Sequence, residues 1–369
     1  MKRGNASTRR IPRPPGSSGE GAILQPEATS DWESRNAPLS GNGWVIVLAG
    51  GQGRRLQPFL RKFLGSDRPK QFSRIVGSRS MLRHTWDRAV QVVPADRIVT
   101  VITAGQEPYI EAETHQGVPG TVLVQPFNRE TAAGLLLPLV WIAHQSPKTT
   151  VAVFPADHFI WEEARFIRYV QTSMTAAEYL PDRVILHGAE ASDPEPGYGW
   201  IAPAKPVMQA GAAELYQVRQ FWEKPDRRTA EHLLASGCLW NTLVLVGRLE
   251  AYLRLADSCI PDVLSPLRAV ACQLRTVAGP TSLRDVYRHL RSSDFSRDVL
   301  SRCPGRLLVQ AVRGLYWSDW GDPDRIVRTL RRFERSPAWF PEYAEAQIAM
   351  DGGALQGNHH GLEGGHATI

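Results

Sequence analysis

No stretch of the 369-residue chain is apolar over the roughly 20 residues that a membrane-spanning helix requires. Cysteine is scarce. The four present (Cys238, Cys259, Cys272, Cys303) show no C-x-x-C spacing and no histidine cluster beside them, which argues against a zinc site or a disulfide framework. Reduced, mostly buried thiols are expected instead. Acidic residues are missing from the first 18 positions, where Lys2, Arg3, Arg9, Arg10 and Arg13 supply +5 of a formal charge of +6. The rest of the chain is therefore nearly neutral, and the basic folded face of a nucleic-acid-binding domain is not expected. Arg9-Arg10 is followed by a Pro- and Ser-rich segment rather than by the apolar stretch of an export signal, so the cytoplasm is the expected location. Internal repeats are lacking as well.

What is there is concentrated in residues 48–71, LAGGQGRRLQPFLRKFLGSDRPKQ. WVIVLA (44–49) is a continuous apolar run, as in a strand buried on both faces. Gly50, Gly51 and Gly53 follow at once, permitting a sharp turn that leaves N–H groups exposed to an anion. Arg54, Arg55 and Lys70 add positive charge. Glycines after a strand are often no more than a turn. The dinucleotide fingerprint G-x-G-x-x-G is a poor fit, because Leu56 stands at its third glycine and Pro58 interrupts soon after. A P-loop would need Gly-Lys-Ser/Thr where this chain has Arg54-Arg55. The spacing points to a nucleotide site of another design.

Residues 1–40 and 351–369 are polar and rich in Gly and are expected to be disordered, the second despite His359-His360. Between them, strands and helices alternate. Strands are expected at 97–105, 121–127, 150–157 and 183–189, and helices at 79–93, 131–145 (buried all round, despite Pro138) and 162–180. This order predicts an α/β fold with a Rossmann-like, mainly parallel mixed sheet and helices on both faces. From 197 to 247 the pattern is strand-like with one short helix at 229–236, and 249–292 reads as helical. A strand at 306–312 precedes a helix opened by Asp322-Pro323. Ligands of such sheets bind beyond the carboxyl ends of the strands. There lie PADH (155–158), EPGYGWI (195–201), FWEKP (221–225), LWNT (239–242) and WSDWGDPD (317–324). Each alone is weak, since Asp157 or Asp319 is more often a turn residue than a ligand, and Asp322 reads best as a helix cap.

Together and in order, these segments resemble the sugar-phosphate nucleotidyltransferases, and among them the mannose-1-phosphate guanylyltransferase branch. That family opens with G-G-x-G-T-R-L-x-P and P-K-Q-F, which match Gly50–Pro58 and Pro69–Phe72 here. Its R-N-T-A-P-A appears as Arg129–Gly134, its P-A-D-H is intact at 155–158, and its E-T-G-Y-G-Y-I appears as Glu195–Ile201. F-x-E-K-P is intact, W-N-S-G becomes Trp240–Leu243, and S-D-x-G is Ser318–Gly321. The resemblance spans about residues 44–335 and implies the nucleotide-diphospho-sugar transferase fold. The implied domain is 41–335, with a sugar-binding part near 190–250, a helical insert near 249–300 and a largely disordered tail from 336.

The activity it implies joins a sugar 1-phosphate, best taken as mannose 1-phosphate, to a nucleoside triphosphate, best taken as GTP, with release of pyrophosphate. The attacking phosphate is already ionised, so the lack of a Ser-His-Asp or Cys-His arrangement is expected. What the reaction needs is cations, Mg²⁺ and backbone donors around two polyanions. By the resemblance, Gly50, Gly51, Gly53, Arg54, Thr131, Pro155 and Ala156 would bind the nucleotide, with Arg55 on its phosphates. Lys70 would act where the substrates meet. Asp157 and Asp319 would hold Mg²⁺. Gly197, Gly199, Glu223, Lys224 and Asn241 would bind the sugar phosphate. The implied partners are these substrates, without nucleic acid or membrane, and a homo-oligomer is left open. The chain departs from the family at Arg54 (a small hydroxyl residue there), Glu130 (Asn), Pro196 (Thr) and Thr242-Leu243 (Ser-Gly). Another base or sugar, or a nucleotide-sugar sensor without turnover, are the competing readings.

Overall fold

The computed structural model describes residues 23–24, 43–113, 117–210, 213–274 and 279–346. Its strands are β1 (Ile23–Leu24), β2 (Gly43–Leu48), β3 (Ile98–Thr103), β4 (Thr121–Gln125), β5 (Thr150–Pro155), β6 (Phe159–Trp161), β7 (Val184–Glu190), β8 (Gly199–Ala210), β9 (Ala213–Glu223), β10 (Leu239–Arg248), β11 (Leu307–Val312) and β12 (Tyr316–Ser318). The helices are α1 (Gln57–Leu64), α2 (Met81–Ala89), α3 (Glu107–Glu111), α4 (Glu130–Ala143), α5 (Glu163–Tyr179), α6 (Arg227–Ala235), α7 (Leu249–Cys259), α8 (Pro261–Ala271), α9 (Gly279–His289), α10 (Phe295–Asp298) and α11 (Pro323–Arg332).

Ten strands form one mixed sheet in the order β1-β4-β3-β2-β5-β10-β7-β11-β9-β8. Strands β4, β3, β2 and β5 are parallel, whereas β10 is antiparallel to both neighbours. From β2 the chain moves outward to β3 and β4 and then returns to β5 on the other side of β2. That reversal opens a crevice at the carboxyl ends of β2 and β5.

The apolar run read as a buried strand is β2, and its residues alternate between two cores. Trp44 and Ile46 face α4, α7 and α8, while Val45 and Val47 face α2 and α5. Side chains of successive strand residues point to opposite faces, so a strand covered on both sides must be apolar throughout. A third, smaller core joins α1 to α11 through Leu56, Phe59, Leu60, Ile326 and Leu330.

Several expectations need correction. Pro58, read as an interruption after the glycines, instead stands in the first turn of α1, where its missing N–H costs nothing. Residues 336–346, expected to begin a disordered tail, are packed, with 340–346 helical and Trp339 and Tyr343 buried against α1. The arm at 1–40 lies outside the described residues except for Ile23–Leu24, which pairs antiparallel with β4. The tail at 351–369 also lies outside them. Cys259 and Cys303 are free thiols with their sulfurs 2.8 Å apart. Among the described residues no helix is long and apolar enough to cross a membrane.

Candidate active site

Strands β2 and β5 run in register to Leu48 beside Pro155, and the Ala156 N–H donates to the Leu48 carbonyl at 3.0 Å. Pro155 and Ala156 thus flank the start of the glycine turn. Its carbonyls are held from inside. Gln71 Nε2 donates to Ala49 O and Gly51 O (2.5 and 2.7 Å), Thr103 Oγ1 to Gly50 O (3.0 Å), and Gln106 Nε2 to Gly51 O (3.0 Å). In a trans peptide the N–H points opposite to the carbonyl, so the donors of Gly50, Gly51 and Gln52 turn away from these amides. Gly53 has φ 59°, and a Cβ there would lie 3.0 Å from the Lys70 nitrogen. Arg54 and Arg55 are exposed and form no ion pair among the described residues.

Lys70 begins a 3₁₀ turn (Lys70–Phe72) packed under that loop, and only 5% of it is exposed. Its Nζ lies 2.7 Å from Asp157 Oδ2 and donates to the Asp319 backbone carbonyl at 2.5 Å. Residues 249 positions apart are joined in this way because β6 and β12 pair as a separate two-stranded ribbon, Ser318 opposite Phe159. The ribbon carries Asp319 to the residues that follow β5. Trp320 anchors it, stacked on Phe159 (4.6 Å between centroids) and bonded through Nε1 to Thr329 Oγ1 at 3.0 Å.

Burial works against ionised Asp157, but the charge of Lys70 and the hydrogen bond it gives outweigh it and hold the carboxyl below its ordinary range. Asp319 is likewise lowered, burial being outweighed by Lys70 and Arg325. Both are therefore anions at neutral pH. Burial lowers the His158 pKa, so its ring is neutral; Trp317 Nε1 donates to Nδ1 at 3.2 Å, leaving the ring proton on Nε2, 3.7 Å from Asp157 Oδ1. Asp319 Oδ1 accepts from Tyr198 OH (3.0 Å), Gly321 N (2.9 Å) and Arg325 Nη1 (2.7 Å).

On the adjoining side, Gly199 of β8 pairs with Glu223 of β9. A Cβ at Gly199 would meet Glu223 Oε2, Phe221 Cζ and Asn241 Cβ at 3.0, 3.1 and 3.2 Å, so these residues converge on one point. Lys224 Nζ donates to Glu223 Oε1 at 2.8 Å. Burial raises the Glu223 pKa against the pull of Lys224. The Gly197 N–H is taken up by Glu195 Oε1 at 3.0 Å. Thr131 is not joined to the Lys70 cluster; its hydroxyl accepts from Phe295 N (2.8 Å) and donates to Asp294 (3.3 Å) in the insert.

A crevice with outward backbone donors, a buried lysine and two ionised aspartates is suited to polyphosphate chemistry. Residues 44–335 match the family described as nucleotidyl transferase. The chain belongs to this family. It is 34% identical over 286 residues to the xanthan biosynthesis protein XanB of Xanthomonas campestris, covering 75% of this chain and 57% of that one. It is 29% identical to a mannose-1-phosphate guanylyltransferase of Klebsiella pneumoniae, covering 72% and 53%. The chain thus spans little more than half the length of these curated relatives. Among solved structures it resembles a mannose-1-phosphate geranyltransferase from Thermus thermophilus, with TM-score 0.65, 26% identity and 80% of each chain covered.

For a nucleotidyl transferase, the feature that sequence reasoning overlooked first is the backbone conformation of the motifs, not their residues. Of the six non-glycine residues with positive φ among the described residues, four fall within motifs: Glu130 (63°), Lys224 (48°), Leu243 (53°) and Trp320 (46°). Such strain gathers where surrounding structure fixes a site. Tyr198 and Arg325 were also overlooked. Tyr198 lay inside a quoted motif, whereas nothing in the pattern around Arg325 distinguishes it from other helical arginines.

Proposed function

We propose that this protein transfers a nucleotidyl group, guanylyl by preference, from a nucleoside triphosphate to mannose 1-phosphate. The observation that carries the reading is Lys70 joining Asp157 to Asp319 beneath the glycine turn, at the sheet's reversal point. The named guanylyltransferase relatives support the choice of substrates.

The N–H groups of Gly50, Gly51 and Gln52 receive the triphosphate, and the free Arg54 and Arg55 close over it. A sugar-phosphate oxygen attacks the α-phosphorus, forming the new P–O bond. The bond to the β-phosphate oxygen breaks, and pyrophosphate departs with its electrons. The nucleophile arrives ionised, so His158 is not needed as a base. Lys70 stabilises charge on the transferring group, which preorganised cations do most effectively in a dry site. Glu223 and Asn241 accept and donate to sugar hydroxyls beside Gly199.

Asp157 and Asp319 would hold Mg²⁺, which uses one or two carboxylates and completes its shell with phosphate oxygens and water. Their ionised state fits that donor set, and Lys70 brings the two residues together through the Asp157 carboxylate and the Asp319 backbone carbonyl, although Asp319 must share its carboxylate oxygens with Arg325. When bound, the ion supplies charge stabilisation at the transferring phosphate.

Pyrophosphate release, measured with Mg²⁺ across a panel of nucleotides and sugar 1-phosphates, should be fastest with GTP and mannose 1-phosphate. Faster turnover with UTP or dTTP would keep the mechanism and overturn the base. No turnover with any pair would leave the sensor reading. Asp157→Asn and Lys70→Ala should each lower kcat by about 100-fold or more while leaving a folded protein. A near-normal rate in either would remove that residue from its role.

A further inference from the structure

Arg325, the third residue of α11, is 12% exposed at its side chain and touches both the loop before β8 and the turn after β12. One arm of its fork, Nη1, reaches both Asp319 oxygens, at 2.7 and 3.0 Å. The other arm, Nη2, lies 2.8 Å from Glu195 Oε1. Nε lies 3.0 Å from Asp322 Oδ2, and the guanidinium stacks over the Tyr198 ring with Cζ 4.4 Å from its centroid. Tyr198 in turn donates to Asp319, and Glu195 accepts from Gly197 N. The guanidinium also explains two motif glycines. A Cβ on Gly197 would come within 2.8 Å of Nη2, and one on Gly321 within 2.9 Å of Nη1.

We propose that Arg325 is a positioning residue that ties the 195–199 loop to the Asp319 carboxylate, so that the sugar side and the phosphate side of the cleft are set together. The proposal rests on the reading of Gly199, Glu223 and Asn241 as the sugar pocket. A planar fork can hold two carboxylates at once in fixed geometry, whereas an ammonium is a single point charge. Lysine at this position keeps the charge beside Asp319 and loses the tie. Arg325→Lys therefore separates positioning from electrostatics.

Hydrogen exchange of the full-length, substrate-free protein tests the tie without turnover. In Arg325→Lys, exchange in peptides covering 193–199 should accelerate about tenfold, as expected for loss of a charge-assisted contact, while exchange in β3 stays unchanged. Kinetics supply a second readout: KM for the sugar 1-phosphate should rise about tenfold or more, with KM for the nucleotide little altered. Glu195→Gln, which weakens the loop arm together with the bond from Gly197 N, should accelerate exchange in the same peptides at least as much. Wild-type exchange and wild-type KM in Arg325→Lys would overturn the proposal. Uniformly faster exchange across the sheet would also overturn it, because the residue would then be a general stabiliser. If the wild-type protein turns over no substrate pair, the functional reading fails, and the exchange result still decides whether the tie exists.

Discussion

Glu130 stands where the resembling family has asparagine, and Leu243 where it has glycine. Read as sequence, both departures fall near the expected base and sugar and look like changes of specificity. The backbone gives them another meaning, since both residues have positive φ, at 63° and 53°. Asparagine and glycine are the residues that enter this left-handed region at least cost, and others carry roughly 1–2 kcal/mol of strain there. The chain thus places residues that strain this backbone where the resembling family has residues that relax it. Glu130 gains only an exposed contact with Arg297 at 3.5 Å, which is worth little. Glu130→Asn should therefore stabilise the protein by about 0.5–1 kcal/mol. Chemical denaturation measures the stability, and the nucleotide panel measures preference. Unchanged stability with a switched nucleotide preference would restore the specificity reading.

At the scale of elements, legibility followed the length and periodicity of the pattern. β2, β5 and α4 were evident as unbroken apolar runs and α5 as a long helical pattern. The ribbon β6–β12 was not, because two strands of three residues, some 150 positions apart, are too short to carry a period. Yet that ribbon delivers Asp319 to Lys70, so these two residues of the candidate site were named without the means by which they meet. The glycine turn was legible in composition, but its glycines differ in kind. Nothing lies within 4 Å of a Cβ placed on Gly51, whereas Gly53 combines φ 59° with a 3.0 Å approach to Lys70 N. Gly51→Ala should keep the melting temperature and raise KM for the nucleotide, since its methyl enters only the space assigned to phosphate. Gly53→Ala should lose about 1 kcal/mol or more of stability as well, through backbone strain. Equal melting temperatures for the two variants, or a normal nucleotide KM in Gly51→Ala, would count against this division.

Across the whole molecule, the site is bracketed by segments that sequence reading assigned to opposite fates. The apolar sheet and its two covering layers were expected; the ordered segment at 336–346 was not. SPAWFPEYAEA has too few residues to display a helical face, and its partners, Phe59 and Phe63, lie far earlier in the chain. Trp339 meets Phe59 edge-on at 5.1 Å, and its Nε1 donates to the Ile75 carbonyl at 2.8 Å. Tyr343 packs on both Phe59 and Phe63, at 5.7 and 5.1 Å. These contacts brace α1, and α1 directly follows the glycine turn. The segment therefore supports the glycine turn from behind. Trp339→Ala should destabilise the protein by about 3 kcal/mol, the usual cost of removing a buried large aromatic. Because the loss falls on α1, KM for the nucleotide should rise in the fraction that stays folded, while KM for the sugar 1-phosphate holds. Trp339→Phe, which keeps most of the ring packing and loses the bond to Ile75, should recover most of both. A stable Trp339→Ala protein with unchanged nucleotide KM would mean that α1 is held by α11 alone, and that the segment after 335 is only laid against the domain.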